Sequence, residues 1–255
     1  MDRLGEVKTN KYGSKMKIIE YIDANNITVE FEDGYKKKGR YDRFKAGDIV
    51  HYNDKAILGV GYYGKGDFDI KDESGKYSFL YDEWHSMLAR CYNPNAQKST
   101  KNKSYVGCTV CEEWHNFQNF AKWYTDNFYQ VKNERMRLDK DILVKGNKIY
   151  SPENCVIVPE AINVAFTYKK DNSILPPGVS IRKESGKFRA RCNIIDENGK
   201  SKTVSLGSYF TIEEAFSVYK NFKEDYFKTL AERYKEYIPF KLYKALYDYK
   251  IEIDD

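Results

Sequence analysis

Long hydrophobic runs are missing from this sequence. Its apolar stretches are short, and Cys155–Pro159 is an example. A membrane-spanning helix needs about 20 consecutive apolar residues. Met1 is followed directly by Asp2, without the apolar core that a secretory signal peptide has. We therefore expect a cytoplasmic protein with no membrane partner.

Disulfide bonds are not expected either. The chain has five cysteines, an odd number, and reduced thiols are the rule in proteins without a secretory signal. Cys108 and Cys111 have the spacing of a zinc-binding knuckle, and Cys91 and Cys155 could complete a tetrahedral Zn²⁺ site. The alternative is a set of core thiols, because Cys91 falls on the apolar face of a predicted helix.

Aromatic residues, by contrast, are abundant. They make up 16% of the 255 residues and include 23 Tyr and 14 Phe, which excludes wholesale disorder. The net charge is +5, and it is unevenly distributed. Residues 176–235 carry 12 Lys or Arg against 8 Asp or Glu. A basic segment of this kind favours a polyanionic partner.

The first third of the chain predicts a small β-module and a connector. Apolar, β-branched stretches at 16–22, 27–31 and 47–50 are typical of short strands. We assign them to a module over residues 1–55. Repeated glycines interrupt any periodicity in residues 56–79, which we interpret as a connector.

Residues 80–175 predict a central α+β module. Apolar residues at spacings of three and four indicate helices over 80–92 and 111–128. A strand at 142–144, a turn and a second strand at 155–158 then form a β-hairpin, and a helix follows Pro159. The predicted order is therefore two helices and a ββα unit.

A third module, residues 176–255, begins at Pro176-Pro177 and ends in a helical tail. Its three predicted strands cover 178–183, 187–194 and 203–209, and Thr211 can cap the helix after them. Because side chains alternate along a strand, one face is apolar and can pack on that helix. The other face carries side chains that reach phosphates and base edges. Its members are Ser180, Arg182, Lys187, Arg189, Arg191, Asn193, Thr203 and Ser205.

This segment resembles the Apetala-type DNA-binding domain of plants, which is also found appended to phage homing endonucleases. The resemblance covers about residues 176–235 and rests on GVSIRKESGKFRARCNI and KTVSLGSYFTIEEAFSVY. In that family a three-stranded antiparallel sheet lies in the major groove and a helix packs behind it. Phe188 stands where plant members usually carry Trp. The resemblance implies double-stranded DNA as the partner.

The central module is similar to phage proteins of the HNH endonuclease family over about residues 80–165. The strings WHSMLARCYNP, YVGCTVCEEWHNFQNFAKWY and YSPENC carry the resemblance. The HNH motif is a ββα unit around one metal ion. The resemblance implies that Asp139 and Asn163 are ligands of Mg²⁺, which prefers oxygen donors, and that Asn154 orients the general base.

The general base itself is missing. Lys140 occupies the position of the family's histidine, and an unperturbed lysine is a cation near pH 7 that cannot accept a proton. Lys140 could still bind a phosphate, and Asp141 could act as base or ligand. His85 and His115, in the flanking helices, are further alternatives, although a surface or core role is the simpler interpretation of each.

Two functions are consistent with these features. The first is a phage-type, metal-dependent double-stranded DNA endonuclease acting in the bacterial host cytoplasm. The second is a catalytically inactive DNA-binding regulator, or an inhibitor of a host nucleic-acid defence system with a host protein or nucleoprotein as partner. Lys140 is the residue that separates them.

Overall fold

The computed structural model describes residues 3–98, 105–167, 175–196 and 199–255. They form an α+β protein, as predicted, and no helix among them is long and apolar enough to cross a membrane. The strands are β1 (Val7–Thr9), β2 (Lys15–Asp23), β3 (Asn26–Phe31), β4 (Lys36–Gly39), β5 (Thr109–Val110), β6 (Met136–Asp139), β7 (Ile149–Tyr150), β8 (Val156–Pro159), β9 (Val179–Ile181), β10 (Phe188–Ile195) and β11 (Ser201–Tyr209). The helices are α1 (Tyr41–Ala46), α2 (Phe79–Tyr92), α3 (Pro94–Gln97), α4 (Phe117–Asn127), α5 (Glu160–Ala165), α6 (Ile212–Tyr234) and α7 (Phe240–Tyr247).

The chain divides into two compact units. The first consists of Met1–Asp126 and Lys148–Ser151, and the second of Asn127–Asn147 and Pro152–Asp255. Helix α2 therefore belongs to the first unit. The hairpin strands β6 and β8 share the second unit with the C-terminal sheet.

The N-terminal sheet of the first unit consists of β1 to β4, antiparallel and in chain order. Alternate side chains of β2 and β3, such as Ile18 and Val29, are buried in a core shared with α1. The strand predicted at 47–50 is wrong. Helix α1 ends at Ala46, and the next residue, Gly47, has a left-handed φ of 70° that terminates it. Ile49 enters the core from an irregular segment instead.

The first unit confirms the helix predicted over 80–92. The helix predicted over 111–128 is shorter: a 3-10 turn at Glu112–His115 precedes α4, and extended Asn116 separates the two. Trp84 and Trp114 are fully buried, and Trp84 Nε1 donates a 2.7 Å hydrogen bond to the carbonyl of Trp114. Strand β5 pairs with β7 in parallel. This small sheet keeps residues 148–151 in the first unit, although their chain neighbours belong to the second.

The hairpin of the second unit pairs β6 with β8, and Asp139 lies opposite Val156. The strand predicted at 142–144 is wrong, because the first strand of the hairpin is β6. The Asp139 carboxylate accepts hydrogen bonds from the backbone N–H groups of Asp141 and Ile142. These bonds form a turn that takes the chain out of the strand direction. The second strand and the helix after Pro159 are confirmed by β8 and α5.

The C-terminal sheet is antiparallel with the strand order β11-β10-β9, and α6 packs on it, as predicted. Thr211 Oγ1 accepts the backbone N–H of Glu214, and the Glu214 carboxylate accepts that of Thr211. This reciprocal pair is a capping box, which fixes where α6 begins. Ala190 and Cys192 of β10 are buried in the interface with the helix.

Candidate nucleic-acid interface

The candidate interface is the polar face of the C-terminal sheet. At its centre Arg189 lies between Ser180 of β9 and Ser208 of β11, each directly opposite it. Arg191 lies opposite Ser205, and its Nη2 donates a 3.4 Å hydrogen bond to Ser180 Oγ. Opposite residues on antiparallel strands share a face. The register therefore joins two arginines and three serines in one polar surface.

Asn193 and Thr203 extend this surface along β10 and β11. They lie opposite each other, and Thr203 Oγ1 donates a 2.7 Å hydrogen bond to Asn193 Oδ1. The bond holds the amide of Asn193 in one orientation. An oriented asparagine is the side chain that pairs with the edge of adenine in the major groove.

Two further cations flank the surface at the other end of β10. Lys187 Nζ lies 4.2 Å from the centroid of the exposed Phe210 ring. Arg182 Nε lies 3.5 Å from the carboxylate of Glu184, in a pair whose side chains are both exposed. Exposed ion pairs contribute little to stability, so Arg182 can exchange Glu184 for a phosphate at small cost.

All eight predicted DNA-binding residues lie on these strands or next to them. The exposed members are Arg182, Arg191, Asn193, Thr203 and Ser205, and the half-buried members are Ser180, Lys187 and Arg189. Arg189 Nε is buried and makes no hydrogen bond within the described part of the chain. A buried donor without an acceptor is unfavourable, and such a group in a native protein is explained by strain, by a bound water or ion, or by a ligand that supplies the acceptor.

Ser208 is a member of the polar face that the sequence analysis misses. Strict alternation would place Ser208 on the face opposite to Ser205. A β-bulge changes this. Ala190 pairs with Gly207 and the next residue, Arg191, pairs with Ser205, so Leu206 is an extra residue without a partner in the register. Gly207 has a φ of 119°. The available sequence signal is that glycine, since a glycine inside a strand often marks a bulge.

The hairpin loop after β6 is the second candidate region. Asp139 Oδ1 accepts the backbone N–H groups of Asp141 (2.9 Å) and Ile142 (2.8 Å). Burial, and then the negative charge of Asp141, raise the pKa of Asp139. Ionisation of Asp139 is therefore opposed by its surroundings, which is an electrostatic setting that a bound cation relieves.

Lys140 is turned into this loop. The residue is only 5% exposed, and its Nζ donates to Asp141 Oδ2 (2.9 Å) and to the carbonyl of Asn147 (3.0 Å). Asn147 Nδ2 donates in return to the carbonyl of Lys140 at 2.6 Å. The ammonium group thus holds the loop together and pairs with Asp141, rather than facing solvent as a phosphate-binding group would.

The two asparagines assigned to the hairpin site lie in different settings. Asn154 Nδ2 donates a 3.3 Å hydrogen bond to Asn147 Oδ1, so Asn154 is joined to the loop that contains Lys140. Asn163 is half-exposed on α5, and its carbonyl accepts the N–H of Phe166. The contacts described for Asn163 are local to its helix.

The Mg²⁺ ligands Asp139 and Asn163 stay a prediction, and Asp141 adds a second carboxylate next to Asp139. The described residues contain no group of three or more His, Cys, Asp or Glu side chains that could hold a metal ion. Two neighbouring carboxylates nevertheless fit Mg²⁺ in kind, because proteins often hold this ion by one or two carboxylates together with substrate phosphates. Lys140 competes with the ion, since its ammonium group already neutralises Asp141.

The cysteines proposed for zinc are distributed over both units. Cys91 and Cys108 are buried and Cys111 is half-buried in the first unit, whereas Cys155 is buried in the second. A structural zinc site needs four ligands in tetrahedral geometry. The zinc site stays a prediction.

The histidines considered as alternative bases both belong to the first unit. His85 is exposed and stacks on Tyr81, with 5.8 Å between ring centroids. His115 is half-buried, with its Nε2 3.4 Å from the hydroxyl of Tyr92. Burial and the positive charge of Lys55 lower the pKa of His115, which favours its neutral form near pH 7.

Comparisons with known proteins do not assign the chain to a family. No protein-family model, no curated protein and no solved structure matches it. Its function must therefore be inferred from the residues and their geometry.

Proposed function

We propose that the protein binds double-stranded DNA in the major groove through the polar face of its C-terminal sheet. The observation that carries this proposal is the row Ser180–Arg189–Ser208, in which a partly buried arginine lacks an acceptor for its Nε. DNA supplies the acceptors that such a row lacks, namely phosphate oxygens and the O6 and N7 atoms of guanine.

The chemistry of the surrounding face supports the same partner. Arg191 and Asn193 are exposed beside the central row, and they are the residue types that read guanine and adenine edges. The capped helix α6 behind the sheet holds these strands in place. The major groove admits a two-stranded β-ribbon, and several DNA-binding proteins place β-strands in a groove. We assign this activity to the cytoplasm of a bacterial host.

Replacement of the two central arginines tests the proposal. We expect Arg189→Ala combined with Arg191→Ala to weaken binding to a duplex by about 1–3 kcal/mol for each lost base contact. The slope of log affinity against log salt should also flatten, because fewer cations then meet phosphates. Fluorescence anisotropy with a labelled duplex at several salt concentrations measures both quantities.

A matched control separates site contacts from total charge. Arg233→Ala combined with Lys235→Ala also removes two positive charges, from exposed positions at the end of α6. This control should bind duplex DNA almost as the wild type does. Equal affinities for wild type and the Arg189/Arg191 variant would refute binding through the sheet.

A second candidate function is metal-dependent hydrolysis of DNA at the hairpin. The observation that favours it is the neighbouring pair Asp139 and Asp141: burial, and then the negative charge of Asp141, raise the pKa of Asp139. Mg²⁺ bound there would polarise a phosphate and supply a nucleophilic water at neutral pH. Lys140 cannot serve as base in this arrangement, because it donates hydrogen bonds to Asp141 and Asn147. Asn154 would orient the loop through Asn147.

Plasmid nicking in the presence of Mg²⁺ or Mn²⁺ tests hydrolysis. If the site is active, Asp139→Ala abolishes nicking. Lys140→His restores a general base and should raise the rate by about 10²–10⁴-fold, the usual contribution of such a group. Absence of nicking by wild type and by Lys140→His would contradict hydrolysis and leave a binding protein, acting as a regulator or on a host protein or nucleoprotein.

A further inference from the structure

Lys145, in the hairpin loop, is held by an acidic segment of its own chain. Its Nζ lies 2.6 Å from Asp255 Oδ1 and donates to Asp255 Oδ2 at 2.8 Å. It also donates to the carbonyl of Lys250 at 3.1 Å. The Asp255 side chain is only 12% exposed. The ammonium group of Lys145 is therefore held by an anionic carboxylate and a carbonyl oxygen, while its side chain stays 40% exposed.

The carboxylate of Asp255 is aimed at Lys145 by a local turn. Asp255 Oδ2 accepts the backbone N–H of Glu252 at 2.8 Å, and the Asp255 N–H is directed to the carbonyl of Glu252. Farther back, Glu224 of α6 accepts the N–H of Ile251 at 3.1 Å, and Ile251 is fully buried. Residues 249–255, which we call the acidic strap, are thus docked on α6 at one end and on the hairpin loop at the other.

The acidic strap and the hairpin loop line an open pocket. The pocket has a volume of about 350 Å³ and is lined by the loop residues Ile142, Leu143 and Lys145 on one side and by residues such as Tyr249 on the other. Burial, and then the negative charges of Asp255 and Asp141, raise the pKa of Tyr249 to about 12. Tyr249 therefore places the strap within electrostatic reach of the loop that contains Asp141.

We propose that Lys145 is a binding site for a phosphate of the DNA backbone, and that Asp255 occupies this site as an internal anion when DNA is absent. The proposal rests on the proposed binding of duplex DNA by the same compact unit. It adds a second contact, at the hairpin loop, to the contacts of the sheet. It also makes the acidic strap a competitor, because a phosphate must displace Asp255 to reach Lys145.

The competition has a measurable consequence for affinity and salt dependence. Removing the charge of Asp255 frees Lys145 for DNA without adding any new group. Asp255→Asn should therefore bind a labelled 20-base-pair duplex about two- to fivefold more tightly, the range expected for release of one partly exposed ion pair. One additional phosphate contact should steepen the slope of log affinity against log salt by about 0.9.

Asp254→Asn is the matched control for this experiment. Asp254 is exposed and carries the same charge one residue away, so its removal changes the overall charge equally. The expected result is a gain for Asp255→Asn well above that of Asp254→Asn. Adding Lys145→Ala to Asp255→Asn should return affinity and salt slope to the level of the control. Circular dichroism melting of each variant establishes that the compared proteins are folded.

Two outcomes would overturn the proposal. Equal affinities for Asp255→Asn and Asp254→Asn would mean that Asp255 does not compete with DNA. A gain that survives Lys145→Ala would mean that Lys145 is not the phosphate site. The Arg189/Arg191 variant, measured in the same titrations, keeps the two proposals distinguishable. Wild-type affinity of that variant contradicts DNA binding by the sheet. Loss of binding by that variant supports the sheet, and the Asp255 and Lys145 variants then test the acidic strap alone.

Discussion

The ammonium group of Lys140 shows how strongly the setting of a residue decides its chemistry. Buried between Asp141 and the carbonyl of Asn147, it is a structural cation of the hairpin loop. The residue type alone allows phosphate binding, because an exposed lysine presents a mobile charge. Burial and the two hydrogen bonds remove that option in this conformation. A phosphate contact at Lys140 would require the loop to open.

Ser208 is the residue for which the structure makes a new functional prediction. Its position beside Arg189 predicts that Ser208→Ala weakens duplex binding about two- to tenfold, the cost of one lost hydrogen bond. Anisotropy titrations measure the change. The control is Ser217→Ala, at an exposed position on α6, which should leave affinity unchanged. Equal affinities of the two variants would remove Ser208 from the interface.

At the scale of elements, the contact between β9 and α6 depends on a glycine. Gly178 has a φ of 73°, and a Cβ added there would lie 2.1 Å from Cδ2 of Tyr219, which is buried on α6. Its carbonyl accepts the N–H of Arg191 at 2.9 Å. The absence of a side chain at this position therefore lets the start of β9 lie on the helix while it pairs with β10.

This close approach predicts the effect of a single methyl group. Gly178→Ala should lower the free energy of unfolding by about 1–2 kcal/mol for the left-handed backbone and about 1–3 kcal/mol more for overpacking against Tyr219. Gly186→Ala is the control, because Gly186 has a φ of 67° and nothing within 4 Å of an added Cβ. It should show the backbone cost alone. Urea unfolding curves give both values, and equal losses would contradict the packing account.

At the scale of the whole molecule, the chain does not divide into consecutive domains. Residues 148–151 belong to the first compact unit, although residues on both sides of them belong to the second. The second unit includes the hairpin, the sheet and the acidic strap. Within it α5 packs against β10, and the rings of Phe166 and Phe227 stack at 4.4 Å. The candidate carboxylates and the polar face are therefore parts of one compact unit.

The acidic strap makes the stability of this unit dependent on pH. Burial alone would raise the pKa of Glu224, but hydrogen bonds from the Ile251 N–H and from Lys250 outweigh it and lower the pKa below its usual value of 4.5. A carboxyl group whose pKa is lower in the folded state stabilises the protein at pH values above its pKa in the unfolded state. That stabilisation is lost as the pH falls through the pKa of the folded state.

Glu224→Gln should therefore be destabilising at pH 7 and much less so under acid conditions. We expect a loss of about 1.5–3 kcal/mol at pH 7, the range for hydrogen bonds to a charged group, and a shrinking difference from wild type below pH 4.5. Denaturant unfolding at pH 7 and pH 3 measures it. Glu236→Gln, at an exposed position, is the control. A difference that is the same at both pH values would contradict the role of the ionised carboxylate.

Much of the second unit could be predicted because its signals are local. Alternation along β10 separates the buried Ala190 and Cys192 from the exposed Arg191 and Asn193, and a two-residue period needs no partner to be read. The strand predicted at 142–144 failed for a reason that is also local but is not periodic. The side chain of Asp139 binds the backbone ahead of it, and apolar composition does not report such a turn.

The sequence by itself determined the α+β class, the polar and apolar faces of the C-terminal sheet, and the helix start at Thr211, since periodicity and capping act over a few residues. Tertiary structure alone decided the role of Lys140, the face of Ser208 and the placement of Asp255 on Lys145. Each of these depends on a partner brought close by folding: a loop carbonyl, a bulged register, and a segment 110 residues away along the chain. Such contacts have no period in the sequence. Gly207 alone hints at the bulge, but which residues it brings together is decided only in the folded chain.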